Sequence, residues 1–259
     1  MIGRLSRSAA VWAFLGAIAL GVVWEGVVRL RDVRRFVLLP PSEIVSTFLD
    51  NPGFYLQNVW VTAQHLAIGL AIALAVSLAF GSLLAAFRPL EHASQPLLVL
   101  ILVTPWVAYI SSVVLWLGRG TPAIVFLVAF VTVPAFVYAT VGGMRSADPA
   151  ARELFASIHA SRREVLWRLR LPAALPSLFT AARFNVGLGL AAAYFAEGAA
   201  LGTDGLGEAG RRAVAFNEGS ILWTTILCTA MLGIVGQMAL IVIERSVLGW
   251  HVSQRRRSH

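Results

Sequence analysis

The chain has 259 residues, of which 58% are hydrophobic and only 13% are charged, and its mean hydropathy is +0.76. Average soluble domains are about half apolar and about a quarter charged, so this chain has too few polar side chains to cover a surface that faces water. The composition argues against a soluble enzyme, a disordered protein and a fibrous protein. The length suits about six membrane spans of ~20 residues with their connections, and we therefore predict an integral membrane protein.

The net charge is +8, and arginine occupies all 21 positions that carry a Lys or an Arg. Basic loops beside apolar runs fit membrane orientation, whereas the sequence has no soluble module of basic and aromatic residues for binding nucleic acid. Cys228 is the one cysteine in the sequence, which leaves no disulfide framework and no cysteine metal site. We expect no nucleic-acid partner, and we interpret Cys228 as a small buried hydrophobe.

Six apolar runs follow one another along the chain, and each reaches or approaches the ~20 residues that cross ~30 Å of hydrocarbon as a helix. The runs are Ala9–Val28, Val59–Phe87, Leu97–Leu117, Ile124–Val141, Leu175–Leu201 and Ile221–Ile243. The first could be a signal peptide with a cleavage site at Ala17-Ile18-Ala19, but its apolar sequence continues to Trp24, which is long enough to span. We predict an all-α membrane protein with six transmembrane helices, a tail at 1–8, one membrane domain at 9–250 and a basic tail at 251–259.

Arginines in the connections set the predicted orientation. With a cytoplasmic N-terminus, the cytoplasmic segments hold 13 arginines, the outer segments hold seven, and Arg183 lies within the fifth span. This bias favours cytoplasmic N- and C-termini, although the first outer loop, with four arginines, runs against it.

Small residues recur at helical spacing in the second run, and they would let neighbouring membrane helices approach closely. These residues are Gly69, Ala73, Ser77, Gly81 and Ala85. Three prolines are expected to interrupt or kink their helices, which is tolerated where the backbone lines protein or a wet cavity. They are Pro96, Pro105 and Pro134.

The connection between the fourth and fifth runs, Ala147–Pro176, is by far the longest inner segment. It begins with a helix-start signal, because Asp148 is placed as an N-cap and Pro149 as the first helical residue. Helix-compatible residues then fill Ala150–Ile158, and a tight turn is expected at His159-Ala160.

A second helix is predicted directly after this turn. Ser161 and Glu164 match the S-x-x-E capping box, which satisfies the free amides of a helix start. We expect this helix to end at Leu171, because Pro172 disfavours a helical residue before it. The composition leaves two roles open for the Arg-rich pair: an amphipathic element on anionic lipid, or a docking element that presents a helix to a groove on a partner.

The spacing of this loop carries a family resemblance. It follows E-A-A-x(3)-G-x(9)-I-x-L-P, the EAA loop of permease subunits in bacterial ABC importers. The matching residues are Glu153, His159, Leu169, Leu171 and Pro172. Leu154 and Phe155 replace the paired Ala, and His159 replaces the Gly that permits the turn in this family. His adopts left-handed backbone at a modest cost. Either the turn persists with His159 in it, or the surface by which the loop would contact a partner is altered.

Other segments resemble the sulfonate, taurine and nitrate branch of these permeases. They are Leu39-Pro40-Pro41-Ser42, Trp116-Leu117-Gly118, Leu171-Pro172-Ala173-Ala174-Leu175-Pro176, Ala196-Glu197 and Gly205-Leu206-Gly207. The resemblance covers roughly Leu38 to Trp250 and implies the fold of a type I importer permease. The implied cargo is a small anion such as a sulfonate, nitrate or bicarbonate, or a pyrimidine-type vitamin precursor.

The resemblance implies that the loop is a coupling helix seated in a cleft of an ATPase subunit, with Glu153–Ser161 as the contact. The residues assigned to it are Glu153, Leu154, Phe155, His159, Ala160, Ser161, Glu164, Leu171 and Pro172. The implied assembly in the bacterial inner membrane has two ATPase subunits, a second permease copy, most simply as a homodimer, and an external solute-binding protein. The outer arginines would dock that receptor electrostatically or are solvated loop charge; they are Arg29, Arg31, Arg34, Arg35, Arg211 and Arg212.

The sequence has no nucleotide site of its own. A P-loop needs the Lys of G-x-x-x-x-G-K-[ST], and the sequence contains no Lys, so ATP and Mg²⁺ would bind to the partner ATPase. We therefore expect a transport subunit that is not an enzyme and holds no cofactor. Gly205, Gly207 and Gly210 match G-x-G-x-x-G, but they follow a membrane helix rather than a strand, and we interpret them as a turn outside the fifth span.

Polar groups inside the spans are the remaining candidates, since ionisable residues in a bilayer are functional hypotheses by default. Asn185 and Glu197 could line a translocation path. Arg183 is ~21 Å from Glu197 along a helix, too far to pair, and is expected to reach the inner interface. His65 is interpreted as a packed interfacial residue. The alternative function, an ion-coupled secondary transporter, would need more such groups at mid-membrane.

Overall fold

The computed structural model describes residues 2–35, 37–201 and 204–249, and this part of the chain is helical, without strands. Its α-helices are α1 (Ile2–Leu30), α2 (Pro41–Asp50), α3 (Pro52–Ala86), α4 (Arg88–Val103), α5 (Tyr109–Leu117), α6 (Thr121–Arg145), α7 (Pro149–Ser157), α8 (Arg162–Val165), α9 (Leu171–Ala196), α10 (Leu206–Ala215) and α11 (Gly219–Val247). A 3₁₀ turn at Trp106–Ala108 precedes α5, and π-helical turns at Leu166–Arg170 and Glu197–Leu201 flank α9. The predicted tail at 251–259 lies outside the described residues.

Among the described residues, four segments are long and apolar enough to cross a membrane: α3, α6, the continuous helix Arg162–Ala199 and α11. α4 and the segment Trp106–Leu117 pass the same test together, as a pair bent by 87°. α1 has 29 residues and covers the predicted run Ala9–Val28, and it begins inside the predicted tail at 1–8. The all-α membrane architecture is confirmed, while the crossing of the membrane by α1, which would complete the six spans, stays a prediction.

The third predicted run, Leu97–Leu117, is not one helix. α4 already begins at Arg88, and the backbone turns at Thr104-Pro105 before α5. Pro105 has no N–H, and its ring disfavours a helical residue before it, so α4 ends ahead of it. Pro96 and Pro134, by contrast, lie inside the continuous helices α4 and α6.

α3, α6 and α9 pack together as the core of the bundle, and the small residues of α3 allow α6 to approach closely. A Cβ at Gly69 would lie 2.5 Å from Val128 Cγ1, and one at Gly81 would lie 2.7 Å from Thr140 Cβ. Ser77, between these two positions, is completely buried and donates to a backbone carbonyl of α6. The predicted packing face on the second run is therefore confirmed.

α2 is a short helix in the connection between the first two predicted spans, where no helix is predicted from the sequence. Glu25 on α1 accepts hydrogen bonds from Ser42 N at 3.0 Å and from Ser42 Oγ at 2.7 Å. Trp24 packs edge-on against Trp223 of α11, with ring centroids 6.1 Å apart. These contacts hold the C-terminal part of α1 against α2 and α11.

Candidate functional site: the α7–α8 hairpin and a buried polar network

The α7–α8 hairpin, Asp148–Val165, joins α6 to α9 and is closed by two side-chain caps. Asp148 Oδ1 accepts a hydrogen bond from Ala150 N at 3.0 Å. Ser161 Oγ accepts from Glu164 N at 3.2 Å, and Glu164 Oε2 accepts in return from Ser161 N at 2.9 Å. Both predicted helix starts are confirmed, and each cap satisfies backbone amides that have no partner within the helix.

The turn between α7 and α8 passes through His159, whose φ is +52°. Ala160 N donates to Phe155 O at 3.0 Å, and His159 N donates to Ala156 O at 3.0 Å. This is the bonding of a helix that ends in a left-handed residue, a position usually held by Gly. The turn of the EAA loop therefore persists with His in place of Gly, at a small conformational cost.

The second helix of the loop does not end at Leu171, and this corrects the prediction. α8 passes through the π-turn Leu166–Arg170 directly into α9, so that Arg162–Ala199 is one continuous helix. Leu171 N donates to Leu166 O, five residues back. Pro172 fits into this helix because it lies in the first turn of α9. The π-turn widens the backbone there, so that no helical hydrogen bond depends on the N–H that proline lacks.

The hairpin presents apolar side chains to its surroundings. Leu154 is 60% exposed, Ile158 64% and Trp167, in the adjoining π-turn, 63%. The predicted contact residues fall into two groups. Those that are exposed are Glu153, Leu154, His159, Ser161 and Glu164, and those that are half-buried are Phe155, Ala160, Leu171 and Pro172. Exposed apolar groups on a short, well-capped helix suit contact with another surface.

The base of the hairpin is fixed to the membrane helices. Arg145, at the end of α6, forms an ion pair with Glu91 of α4. Arg152 on α7 donates a hydrogen bond to the backbone carbonyl of Arg145. A force on α7 would therefore reach α4 and α6, while a force on α8 would reach α9 through the continuous helix.

At the opposite end of α9, Glu197 is completely buried and accepts three hydrogen bonds. Glu197 Oε2 accepts from Thr62 Oγ1 at 2.9 Å and from Gly207 N at 3.0 Å. Glu197 Oε1 lies 2.8 Å from His65 Nδ1. His65 Nε2 in turn lies 3.2 Å from Thr121 Oγ1, at the start of α6. One carboxylate thus joins α3, α9 and α10, and the imidazole extends the network to α6.

Backbone amides at the start of α10 complete this network. Leu206 N donates to Thr62 Oγ1 at 2.9 Å, and Gly205 N donates to Asn58 Oδ1 at 2.8 Å. The N-terminus of a helix favours a negative charge, because its free N–H groups and its dipole point at the anion. Here the anion is a side chain of the same protein.

The glycines of the G-x-G-x-x-G pattern fit this internal packing rather than a cofactor. Gly205 has a φ of +115°, and a Cβ there would lie 2.5 Å from the Glu197 carboxyl carbon. A Cβ at Gly207 would lie 1.9 Å from Tyr194 O. The turn predicted at this place is in fact the first turn of α10, packed against the end of α9.

Sequence reasoning singled out Glu197 but missed its partner, His65. The two residues are 132 positions apart, and no motif joins positions so distant. A second polar residue one turn before His65, Thr62, is the one local signal that this face of α3 meets a polar group.

Asn185, the other residue proposed for a path, is completely buried between α6 and α9. Its Nδ2 donates to Thr132 O at 3.1 Å, while its Oδ1 has no hydrogen-bond partner among the described residues. Arg183 forms an ion pair with Glu244 near the end of α11. Arg183 and Glu197 do not pair, as predicted, whereas the pairing of Arg183 with Glu244 was not predicted from the sequence.

The arginines that are predicted to lie on the outer side are partly neutralised by nearby carboxylates. Arg29 pairs with Glu25 at 2.6 Å. Arg211 donates to Glu208 at 2.6 and 2.7 Å, and Arg212 donates to the same carboxylate at 2.8 Å. These hydrogen bonds, chiefly those from Arg211, lower the pKa of the Glu208 carboxyl below its ordinary value.

A closely packed α3–α6–α9 core, a bent helix pair and an exposed capped hairpin define the class of this protein as the transmembrane subunit of a transporter. Residues 71–249 match the family of binding-protein-dependent transport system inner membrane components, and the chain belongs to that family. It is a permease subunit of an ABC importer, of the branch that includes taurine and sulfonate permeases.

Two relatives match over almost their full length. The formylaminopyrimidine transport permease protein ThiX of Halalkalibacterium halodurans is 30% identical over 240 residues, covering 92% of this chain and 94% of the relative. The taurine transport system permease protein TauC of Escherichia coli is 27% identical over 259 residues, covering 96% and 93%. Among solved structures, the inward-facing MetNI methionine ABC transporter has a TM-score of 0.64 at 19% identity, over 75% of this chain and 96% of that one. This last likeness supports the shared fold.

Proposed function

We propose that this chain forms one half of the translocation path of an ATP-driven importer, and that the α7–α8 hairpin couples it to a separate ATPase. The observation that carries the proposal is the hairpin itself: an exposed, doubly capped element with apolar side chains outward, built into the ends of α6 and α9. The complete assembly would contain two ATPase subunits, a second copy of this permease and an external solute-binding protein.

The hairpin is suited to transmit a rigid-body movement. Closure of two ATPase subunits on ATP would displace α7, seated through Glu153–Ser161, and the ion pair of Arg145 with Glu91 would pass this displacement to α4 and α6. The continuous helix from Arg162 to Ala199 would tilt α9 at the same time. ATP and Mg²⁺ would stay on the partner, and both termini of this chain would be cytoplasmic, as the arginine bias predicts.

The outer face would receive solute from the binding protein. Arg31 and Arg34 are exposed at the α1–α2 connection and would contribute to electrostatic docking. Asn185 would border the path in the state in which α6 and α9 separate. Its Oδ1, which has no hydrogen-bond partner here, could then accept a hydrogen bond from water or solute in the path. Glu197 would act at the outer end of the same helix, by holding α10 in place.

The cargo we propose is a small polar solute of the range that the relatives' names span, such as a sulfonate, bicarbonate or an aminopyrimidine. Uptake of a radiolabelled compound by cells that express the importer, competed in turn by taurine, bicarbonate and formylaminopyrimidine, would separate these classes. Competition by one class alone assigns the cargo.

The coupling role is tested by charge placed on the hairpin. Leu154→Asp and Ile158→Asp put a carboxylate on exposed positions, so neither should disturb folding, but both should abolish co-purification of the ATPase and solute uptake. Phe216→Asp is the matched control, because Phe216 is 75% exposed on the other side of the membrane domain, after α10. Retention of the ATPase by both hairpin variants would refute the coupling role.

A second candidate function, ion-coupled secondary transport, is favoured by the buried His65–Glu197 pair, since buried ionisable pairs mark proton paths in many transporters. The two functions differ in what drives accumulation. The chain alone in liposomes should not concentrate solute under a proton gradient if the importer proposal is right, and should do so without ATP if the second candidate is right.

A further inference from the structure

A deep apolar crevice lies beside the junction of α8 and α9, and the function proposed above gives it no role. Its volume is about 770 Å³, and its walls come from α3, α6, α9, α11 and the π-turn. Side chains that line it include Leu78, Phe136, Trp167, Leu171, Leu178 and Leu240. Ser82 also lines it, but its hydroxyl is already bonded to Leu78 O.

These walls determine the chemistry of an occupant. A small polar solute would lose its hydration here and gain almost no hydrogen bonds in return, which is unfavourable. A hydrocarbon chain gives up no hydrogen bonds on entering such a space and fills it by dispersion contacts. The crevice also lies along helices that cross the bilayer, where hydrocarbon chains are the surrounding solvent.

The mouth of the crevice has the composition of a lipid headgroup contact. Trp167, which lines the crevice, is largely exposed, and Arg168 and Arg170 follow it in the same π-turn. Trp and Arg are the residues that gather at the level of the headgroups. Glu244 is paired with Arg183, and Glu164 lies one turn before Arg168, close enough to interact with its charge. Glu164 therefore offsets one arginine of the π-turn, and the charge of the second is left over.

We propose that the crevice binds an anionic phospholipid, with one acyl chain between α3 and α11 and the phosphate held by Arg168 and Arg170. Basic pockets between membrane helices are known to hold anionic headgroups. The phosphate complements the charge at the mouth, whereas a second copy of this chain brings a net charge of +8 of its own. The lipid braces the α8–α9 junction, through which the hairpin moves α9. Only this consequence rests on the proposed function.

Lipid retention tests the proposal directly. The permease, with any subunits that co-purify, is placed in nanodiscs of equimolar dioleoylphosphatidylglycerol and dioleoylphosphatidylcholine, and the lipids that stay bound are counted by native mass spectrometry. Wild type should retain phosphatidylglycerol preferentially. Arg168→Gln combined with Arg170→Gln should reduce that preference about thirtyfold, because each arginine near an anionic surface contributes about fivefold. Arg88→Gln, at another exposed helix end, is the matched control and should retain the preference.

Filling the crevice supplies an independent readout. Ala79→Phe and Ala182→Phe place a ring in it from α3 and from α9, and both should reduce retention of either lipid. Ala71→Phe adds the same bulk at an exposed position elsewhere on α3 and should behave as wild type. If both filled variants retain as much phosphatidylglycerol as wild type, the proposal is overturned. It is also overturned if position 79 cross-links to a second permease copy and no lipid is retained. Wild-type permease that retains phosphatidylglycerol but co-purifies with no ATPase would count against the proposed function alone.

Discussion

His65 on α3 and Glu197 at the end of α9 form a hydrogen-bonded pair, with His65 Nδ1 2.8 Å from Glu197 Oε1 and both side chains almost wholly buried. A carboxylate at this depth is costly unless its lone pairs are satisfied. Here the imidazole, a threonine hydroxyl and the N–H of Gly207 satisfy them together. The pair therefore fastens α10, which carries Arg211 and Arg212, to the helix core.

Glu197→Ala should release α10. The substitution leaves the amide of Gly207 and the Nδ1 of His65 buried without partners, and each unsatisfied buried group costs about 1–3 kcal/mol. We expect a much lower unfolding midpoint in detergent and fast hydrogen exchange along α10. Glu197→Gln keeps an acceptor for Gly207 N, and it should lower the unfolding midpoint less than Glu197→Ala does.

The control for this experiment is Glu218→Ala, at an exposed position that precedes α11. Surface substitutions of this kind usually change the free energy of unfolding by about 0.5 kcal/mol or less. If Glu218→Ala lowered the unfolding midpoint as much as Glu197→Ala, the buried carboxylate would have no special role in stability.

Gly207→Ala should disturb the same contact by bulk instead of charge. Its Cβ would lie 1.9 Å from Tyr194 O, a backbone atom that cannot turn aside, so α10 must move away from α9. We expect protease sensitivity in the α10 region and a lower unfolding midpoint. Gly142→Ala on α6 is the matched control, because nothing lies within 4 Å of its Cβ. It should be neutral or stabilising by up to about 1 kcal/mol, the helix propensity gained over Gly.

His159→Gly should stabilise the hairpin, or at least not weaken it. Gly adopts the φ of +52° found here without the cost that a side chain brings. His159→Val should destabilise it by about 1–2 kcal/mol, because a β-branched side chain fits left-handed backbone poorly. Hydrogen exchange of Ala160 N, which bonds to Phe155 O, reports on the turn. His92→Gly inside α4 should have the opposite sign to His159→Gly and cost about 0.3–0.5 kcal/mol, the difference in helix propensity between His and Gly.

The features that could be predicted from the sequence are the ones that depend on neighbouring residues. The N-cap at Asp148 and the capping box of Ser161 with Glu164 are complete within a few positions, and the structure has both. The packing face of α3 follows from helical spacing alone. Each of these is a local pattern with a single physical meaning.

The features that sequence reasoning missed depend on the path of the whole chain. Glu197 could be recognised as a buried carboxylate, but its partner His65 becomes its neighbour only when α3, α9 and α10 pack together. The expected helix end at Leu171 was wrong because a π-turn can supply the space that Pro172 needs. The bend at Pro105 has a local signal, but its angle depends on how α5 packs against α6.

Glu208 gives the stability of the α10 region a defined dependence on pH. Its pKa is lowered in the folded protein, chiefly by the hydrogen bonds from Arg211 and to a lesser extent by those from Arg212, while its burial opposes them. A lowered folded pKa means that this carboxylate stabilises the fold at any pH above its ordinary value, near 4.5. The stabilisation is lost as the pH falls from there through the folded pKa.

The expected result is a difference in unfolding midpoint between wild type and Glu208→Gln that is constant from pH 7 to about 4.5 and closes below it. Arg211→Gln removes the main cause of the shift and should make the gap smaller at every pH above that range. Because α10 lies outside the membrane-spanning helices, hydrogen exchange of its amides can follow the same titration locally. A gap that widens as the pH falls would mean that protonated Glu208 is the better partner for α10, contrary to the ion pairs with Arg211 and Arg212.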